Sequence, residues 1–585
     1  MERNGVEFHN RILKGVHKVE EDEGSSIPEG AGAAGCLLAN RLSEDPNISV
    51  LLIEAGGEET FIQDIPALSS LPQLTPANWG YQTEKLYTAC LGLIDERCRW
   101  PRGKVLGGST TINYMVYTRG NKADFDTWAS LGNEGWSYHE VLPYFLKFEK
   151  MMIPKLAKDT KYHSSKGELY INHPRYHSKS AELFVESANQ TGHKIVDYNG
   201  EEQVGYSIMQ GTLKNGIRWS ANSAFLKPVR HRKNLKVLTH SLVTKILIHS
   251  GNKTAYGVEY KRWSLLNMKA FARKEVILAA GVINSPQLLM LSGIGPKSHL
   301  EDVGIPLLQD LKVGYNLLDH YGLGNLIFTA NSSIGIRFDN ILHDLKEIEN
   351  FIISRKGLLT ITGGLEAIGF EDIDGDDVPD LEFAFAGTTI GSLLPVLLGY
   401  GEKPCIHAST YLFSLFEDVF SVFPVPLKPK SRGRLMLKDN NPFSKPLLYH
   451  NYFTDPYDMH VLLIGIRRAI ALTEAPAFRK YGVKLYDKSI PQCKQYDFNS
   501  DEYWECNARY VTYTMFHQAG TCKMGPDSDA ESVVDPSLKV RGINNLRVID
   551  SSIFPVLISG HTQAPTYMVA EKGAYMIKEY WKVAN

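Results

Sequence analysis

Residues 30–54 read GAGAAGCLLANRLSEDPNISVLLIE. Gly30, Gly32 and Gly35 make a GxGxxG run. The first glycine suits a tight turn, the second lets a pyrophosphate approach the backbone, and the third lets a helix pack closely on a sheet. Ala33, Ala34, Leu37, Leu38 and Leu42 then fall at helical spacing, so a helix starts inside the run with its N-terminal amides turned toward an anion. Val50-Leu51-Leu52-Ile53 is continuously apolar, as in a parallel strand buried on both faces. Glu54 ends it, at the distance from Gly35 where an acid accepts ribose hydroxyls. The order of turn, helix, strand and acid is that of a dinucleotide-binding unit.

The segment before it conflicts with that reading. A strand of apolar residues normally feeds this turn and forms the centre of the sheet. Residues 20–29 instead read EEDEGSSIPE, in which only Ile27 is apolar. Pro28 has no amide to donate to a neighbouring strand. The expectation is therefore a Rossmann-like domain whose first strand is missing, behind an atypical amino-terminal segment at 1–27. Within that segment Ile12, Leu13, Val16 and Val19 are spaced as a short amphipathic helix, and no secretory signal is legible.

Composition narrows the function classes. The chain has 585 residues, too many for one ordinary core, so two connected domains are expected. Its 63 basic and 65 acidic residues give a formal charge of −2 without a basic run. Neither a nucleic acid nor an anionic membrane is an expected partner. The longest apolar stretch, Ile390 to Tyr400, is broken by Gly391, Pro395 and Gly399 and reads as buried loop or helix, so no transmembrane segment is expected. Cys90 and Cys98, and Cys493 and Cys506, are spaced so that each pair could close a small disulfide loop or remain as free thiols. No cluster has metal-ligand spacing. Sequons at Asn47, Asn189, Asn252 and Asn331 are compatible with secretion, and the compartment stays open.

Three further blocks carry the chemistry. Pro101 to Asn113, PRGKVLGGSTTIN, pairs glycines with hydroxyl side chains, as suits a loop wrapped around phosphates and a flat ring. Continued to Gly120 and Asp126, it resembles the first signature of the glucose–methanol–choline oxidoreductases. Gly281 to Gly295, GVINSPQLLMLSGIG, resembles the second, with Val282 where the family usually has a smaller residue. His517-Gln518-Ala519-Gly520-Thr521-Cys522-Lys523-Met524-Gly525, followed by LRVIDSSIFP and SGHTQAPTYMVAEKGA, is similar to the family's closing segment. The wording is nearest to insect glucose-dehydrogenase-like members, including ACLGL before Cys98 and the Cys493/Cys506 loop. The resemblance runs from about Gly30 to Ile577.

That resemblance implies an α/β FAD-binding domain plus an α+β substrate domain built on an antiparallel sheet. The FAD-binding parts are placed at 28–150, 211–310 and 506–580, and the substrate parts at 151–210 and 311–505. Leu235–Leu238 and Glu275–Ala279 read as nucleotide-domain strands. Gly30, Gly32, Gly35, Glu54, Arg102, Gly107, Gly108, Ser109, Asn113, Val243, Asp550 and Ser551 are the implied FAD contacts. Ile112 stands where covalently flavinylated members carry histidine, so non-covalent FAD is expected. Val313 to His320 resembles the flavin-adjacent connection, with Tyr315 for a usual basic residue. Alcohol oxidation removes a proton from oxygen and a hydride from carbon, and a histidine suits the first task. His517 matches the family's general base and His561 its second catalytic position. Gln518 and Phe516 depart from a usual proline and tyrosine beside the base.

Three functions follow from these residues. One is an FAD-dependent dehydrogenase or oxidase of an alcohol or sugar, passing electrons to oxygen or a quinone. Another is a non-catalytic relative that holds FAD poorly because its first strand is absent. The third is a nicotinamide enzyme, against which Gly107–Asn113 and the histidine blocks argue.

Overall fold

The structure, a computed structural model, describes residues 21–336, 345–389, 400–415 and 417–583. The helical spacing read over Ile12 to Val19 and the apolar stretch 390–399 lie outside the described residues.

The nucleotide-side sheet has seven strands. Leu235–Leu238, Val50–Ile53, Glu21–Glu29 and Leu266–Leu278 run parallel in that spatial order. Leu546–Val548 adds in parallel to the far end of Leu266–Leu278, and two long antiparallel strands, Thr254–Arg262 and Ser241–His249, complete the sheet. Its strands therefore come from three separated stretches of chain. The helix Ala33–Leu42 packs against the carboxyl-terminal helix Gln563–Val583.

The expected gap at the sheet's centre is not there. Glu21–Glu29 forms the central strand, paired on one side with Leu266–Leu278 over eight positions and on the other with Val50–Ile53 at Ser26–Val50 and Glu29–Ile53. Strand formation here rests on backbone pairing rather than on apolar side chains. Both flanking strands present rows of donors and acceptors that would otherwise go unpaired, each costing about 1–3 kcal/mol if buried. Small side chains let the segment fit. A Cβ on Gly24 would already meet that of Leu51 at 3.2 Å. Ser25 lies with its hydroxyl 3.0 Å from that of Ser49, while the amides of Ser25 and Ser26 both donate to the Ser49 carbonyl. A register shift between Gly24 and Ser26 absorbs the irregularity. Pro28 lies between Ser26 and Gly30, whose amides donate to the Ser49 and Ile53 carbonyls, so its missing amide leaves one rung of the pairing with Val50–Ile53 unmade.

The second sheet is antiparallel throughout. Its six strands are ordered Lys484–Leu485, Ile327–Ala330, Asp418–Pro426, Leu381–Ala386, Leu365–Glu371 and Gly205–Ile208. The helices Lys179–Gln190 and Pro456–Thr473 pack on it. Disulfides join Cys90 to Cys98 and Cys493 to Cys506, so both spacings close loops. Among the described residues no helix is long and apolar enough to cross a membrane.

The central strand carries one unusual group. Glu29 is buried, one of its carboxylate oxygens has no partner, and burial, then repulsion from Glu54 and Asp550, raises its pKa well above the ordinary carboxylate value. The folded chain thus keeps a proton that the unfolded chain releases once pH exceeds the ordinary carboxylate value. Stability from this group is present below that value and is lost as pH rises. Melting temperatures measured between pH 5 and 8 are expected to fall less steeply for Glu29→Val than for the unsubstituted protein, with the variant more stable by about 1–3 kcal/mol at the alkaline end.

Candidate active site

One cavity of about 1120 Å³ runs from the glycine turn to the histidines. Gly30, Gly32, Glu54, Arg102, Gly108, Ser109, Asn113, Val243, Asp550, Ser551, His517 and His561 all line it. Gly35 and Gly107 do not. They stand behind the lining and set its shape. A Cβ on Gly35 would overlap the Gly30 carbonyl, which is why helix and turn can meet. The Gly107 amide donates to the Ala31 carbonyl at 2.8 Å, tying the two glycine loops together. A Cβ on Gly108 would lie 2.6 Å from the Gly32 Cα, so the loops touch backbone to backbone.

Polar side chains organise this end. Glu54 accepts the Ala31 amide on one oxygen and the Gly56 amide on the other, both at 2.8 Å. Burial lifts its pKa to about 7 despite those bonds. Asp550 accepts from the Gly281 amide at 2.9 Å, from the Ser285 hydroxyl at 2.6 Å and from the Ser552 amide at 2.8 Å. Asn113 donates to Gln563 and accepts from Arg218. Ser109 accepts the Gly103 amide. Ile112, Leu242 and the stacked rings of His240 and Trp263, 4.1 Å apart, supply apolar lining. Exposed glycine backbone beside a cavity of this length fits an extended dinucleotide such as FAD.

The other end is built by segments remote in sequence. The rings of His517 and His561 lie edge to face with centroids 4.3 Å apart. His561 Nε2 donates to Glu382 Oε1 at 2.9 Å, and its amide donates to Thr118 Oγ1. Glu382 stands on Leu381–Ala386, so the antiparallel sheet reaches into the site. His517 Nδ1 lies 2.9 Å from His320 Nδ1, and His320 Nε2 lies 2.8 Å from the Leu427 carbonyl. Asp319 Oδ1 accepts the amides of both His320 and His517 at 2.9 Å. Its other oxygen accepts from Thr514, Gln518 and Tyr452. Phe516, at φ +59°, sits in the left-handed region immediately before His517. Arg102 donates to its carbonyl at 2.9 Å and to Gln518 at 3.2 Å. Gln518, which replaces a usual proline, thus joins Arg102 to Asp319.

Burial keeps His320 and His517 neutral. It lowers His320 to about 4, and it drives His517 well below the ordinary imidazole value, with repulsion from His561, His320 and Arg102 adding to the effect. Burial raises Asp319 to about 6 against the pull of its hydrogen bonds. A neutral His517 has one nitrogen free to accept a proton.

Models of GMC oxidoreductases match residues 25–322 and 429–570. The chain belongs to the GMC oxidoreductase family. Glucose dehydrogenase [FAD, quinone] of Drosophila pseudoobscura pseudoobscura is 38% identical over 556 residues, covering 94% of this chain and 86% of the relative. Alcohol dehydrogenase [acceptor] of Pseudomonas putida is 37% identical over 560 residues, 94% of each chain. A solved formate oxidase of Aspergillus oryzae RIB40 superposes with a TM-score of 0.84 at 26% identity, covering 97% of this chain and all of the other. The protein is an FAD-dependent oxidoreductase acting on CH–OH donors. Nothing supports the non-catalytic alternative, and its premise, an absent strand, fails on the formed strand Glu21–Glu29.

Sequence reading missed Asp319 and His320 as site groups, although it quoted their segment. It also missed Glu382, whose signal was an acid inside the otherwise apolar LEFAFA. Thr118, His240 and Trp263 left no signal. Because Gly35 admits no side chain, purified Gly35→Ala is expected to lose at least about tenfold in bound FAD, read from the visible absorbance of the protein, for a strain of a few kcal/mol.

Proposed function

We propose that this enzyme oxidises an alcohol whose carbon skeleton beside the hydroxyl is apolar, with His517 as general base and His561 as hydrogen-bond partner of the reacting oxygen. The observation that carries the reading is the pairing of a buried, neutral imidazole with a second one 4.3 Å away at the end of a dinucleotide-sized cavity. When bound, FAD supplies the two-electron acceptor for the hydride. His517 takes the hydroxyl proton on the ring nitrogen not facing His320. Glu382 holds His561 through Nε2 and sets its ring against that of His517, so Nδ1 is the nitrogen it has left for the cavity. The glycine turn, the 101–113 loop, Glu54, Val243, Asp550 and Ser551 hold the cofactor without a covalent bond, since Ile112 offers no nucleophile.

The substrate class follows from the walls around the histidines. Val116, Leu365, Met515 and Phe516 line this end of the cavity, with the rings of Tyr114 and Tyr513. Tyr400 packs behind, its ring 5.0 Å from Tyr513 and 5.6 Å from Phe516. A polyol bound here would bury several hydroxyls against carbon and sulfur, at about 1–3 kcal/mol for each left unpaired. An aliphatic or aromatic alcohol buries matching surface instead. We read 28–150, 211–310 and 506–580 as the FAD-binding parts and 151–210 and 311–505 as the substrate parts, with a quinone or oxygen as the final acceptor, as the quinone in the name of the Drosophila relative suggests.

Anaerobic flavin reduction tests the assignment. His517→Ala is expected to slow reduction by alcohol about 10²–10⁴-fold, and His561→Ala by less; the opposite order would transfer the base to His561. Apolar alcohols are expected to exceed glucose in kcat/KM by at least about 10²-fold, the equivalent of two unpaired hydroxyls. A preference for glucose would sink the substrate class. A base form with a lowered pKa persists as pH falls, so the acid limb of kcat/KM is expected below the ordinary imidazole value of about 6.5.

A further inference from the structure

We propose that the Leu427 carbonyl, acting through His320, sets the tautomer of His517 and so leaves its Nε2 as the proton-accepting atom. The inference rests on His517 being the base. A backbone carbonyl only accepts, so His320 Nε2, 2.8 Å from Leu427 O, must carry hydrogen. His320 is fully buried and neutral, so its second nitrogen, Nδ1, then holds a lone pair. That lone pair faces His517 Nδ1 at 2.9 Å, a distance that requires hydrogen on exactly one of the two atoms. Since His320 Nδ1 has none, His517 Nδ1 carries it. A neutral imidazole protonated at Nδ1 is unprotonated at Nε2.

The alternative tautomer has no support in this environment. Protonation of His517 at Nε2 would set two lone pairs against each other across 2.9 Å, a gap too short to admit a water between them. It would also present a donor to a substrate hydroxyl that has to lose its proton. His320 does not reach the cavity lining, so it is a positioning residue rather than a catalytic one. The anchor is rigid for two reasons. Leu427 directly follows the sheet strand Asp418–Pro426, and its amide donates to the Asp380 carbonyl at 2.7 Å. Asp319 Oδ1 holds the amides of His320 and His517 together, so the two rings cannot drift apart without breaking a shared acceptor. The antiparallel sheet thereby decides which nitrogen of a residue in the FAD-side segment is basic.

Nitrogen-15 spectra of the [15N]histidine-labelled holoenzyme test this directly, with the His517 signals assigned by difference against His517→Gln. The expected result is a protonated Nδ1 and an unprotonated Nε2 on His517; a protonated Nε2 would overturn the proposal whatever the activity. His320→Leu removes the acceptor, whereas His320→Asn keeps an oxygen near the position of Nδ1. His320→Leu is expected to reduce its flavin with alcohol roughly 10- to 10³-fold more slowly, as misorientation of a catalytic base does, at unchanged FAD content and with His517 signals of both tautomers. His320→Asn is expected to recover most of the rate. Equal rates for His320→Leu and the unsubstituted enzyme would overturn the proposal. If His517→Ala instead retains full flavin reduction, the base assignment fails while the tautomer measured on the labelled holoenzyme still stands or falls by itself.

Discussion

The carboxylate of Asp319 is the constraint on which the reactive end of this enzyme depends. One oxygen accepts the amides of His320 and His517, and the other accepts from Thr514, Gln518 and Tyr452. Five donors converge on one buried group from chain segments nearly two hundred positions apart. A carboxylate suits this task because it offers several lone pairs and donates nothing when ionised. Its burial costs stability, visible in a pKa raised to about 6, and the converging donors offset part of that cost. With this hub in place, the strained turn at Phe516 is held open and His517 faces the cavity.

The nucleotide end is built on a different principle. Few side chains touch the turn where the two glycine loops meet; backbone lies against backbone, and Glu54 braces it by accepting two amides. This arrangement leaves exposed main chain for a phosphate ligand, and it tolerates almost no added atoms. The reactive end needs directional chemistry and uses side chains drawn from the antiparallel sheet and from loops outside both sheets. His561 meets Glu382 from the antiparallel sheet, and His517 meets Arg102 through Gln518 from the cofactor loop. The site therefore exists only when both halves are docked.

The central strand shows how far tertiary pairing can override local pattern. EDEGSSIPE has only Ile27 of the apolar, β-branched residues that make up a buried parallel strand. It forms one because the two neighbouring strands leave a slot whose hydrogen-bonding groups must be met. Small residues fill the slot without collision. The cost appears at its end, where Glu29 sits beside Glu54 and Asp550 with an oxygen unpartnered.

The sequence by itself determined the dinucleotide unit from Gly30 to Glu54, the order of the three motif blocks, both disulfide spacings and the candidate histidines. These are local features. A glycine that must turn, a helix with 3.6-residue spacing and a continuous apolar strand each report their environment within a few residues. The tertiary structure decided what local pattern cannot carry. It made a strand of Glu21–Glu29, because pairing partners lie about 25 and 250 residues away. It placed Glu382 against His561 and Leu427 behind His320, because a sheet brings distant residues within hydrogen-bond reach. A histidine in the sequence is a candidate base; which of its nitrogens accepts the proton is settled only by what stands behind it.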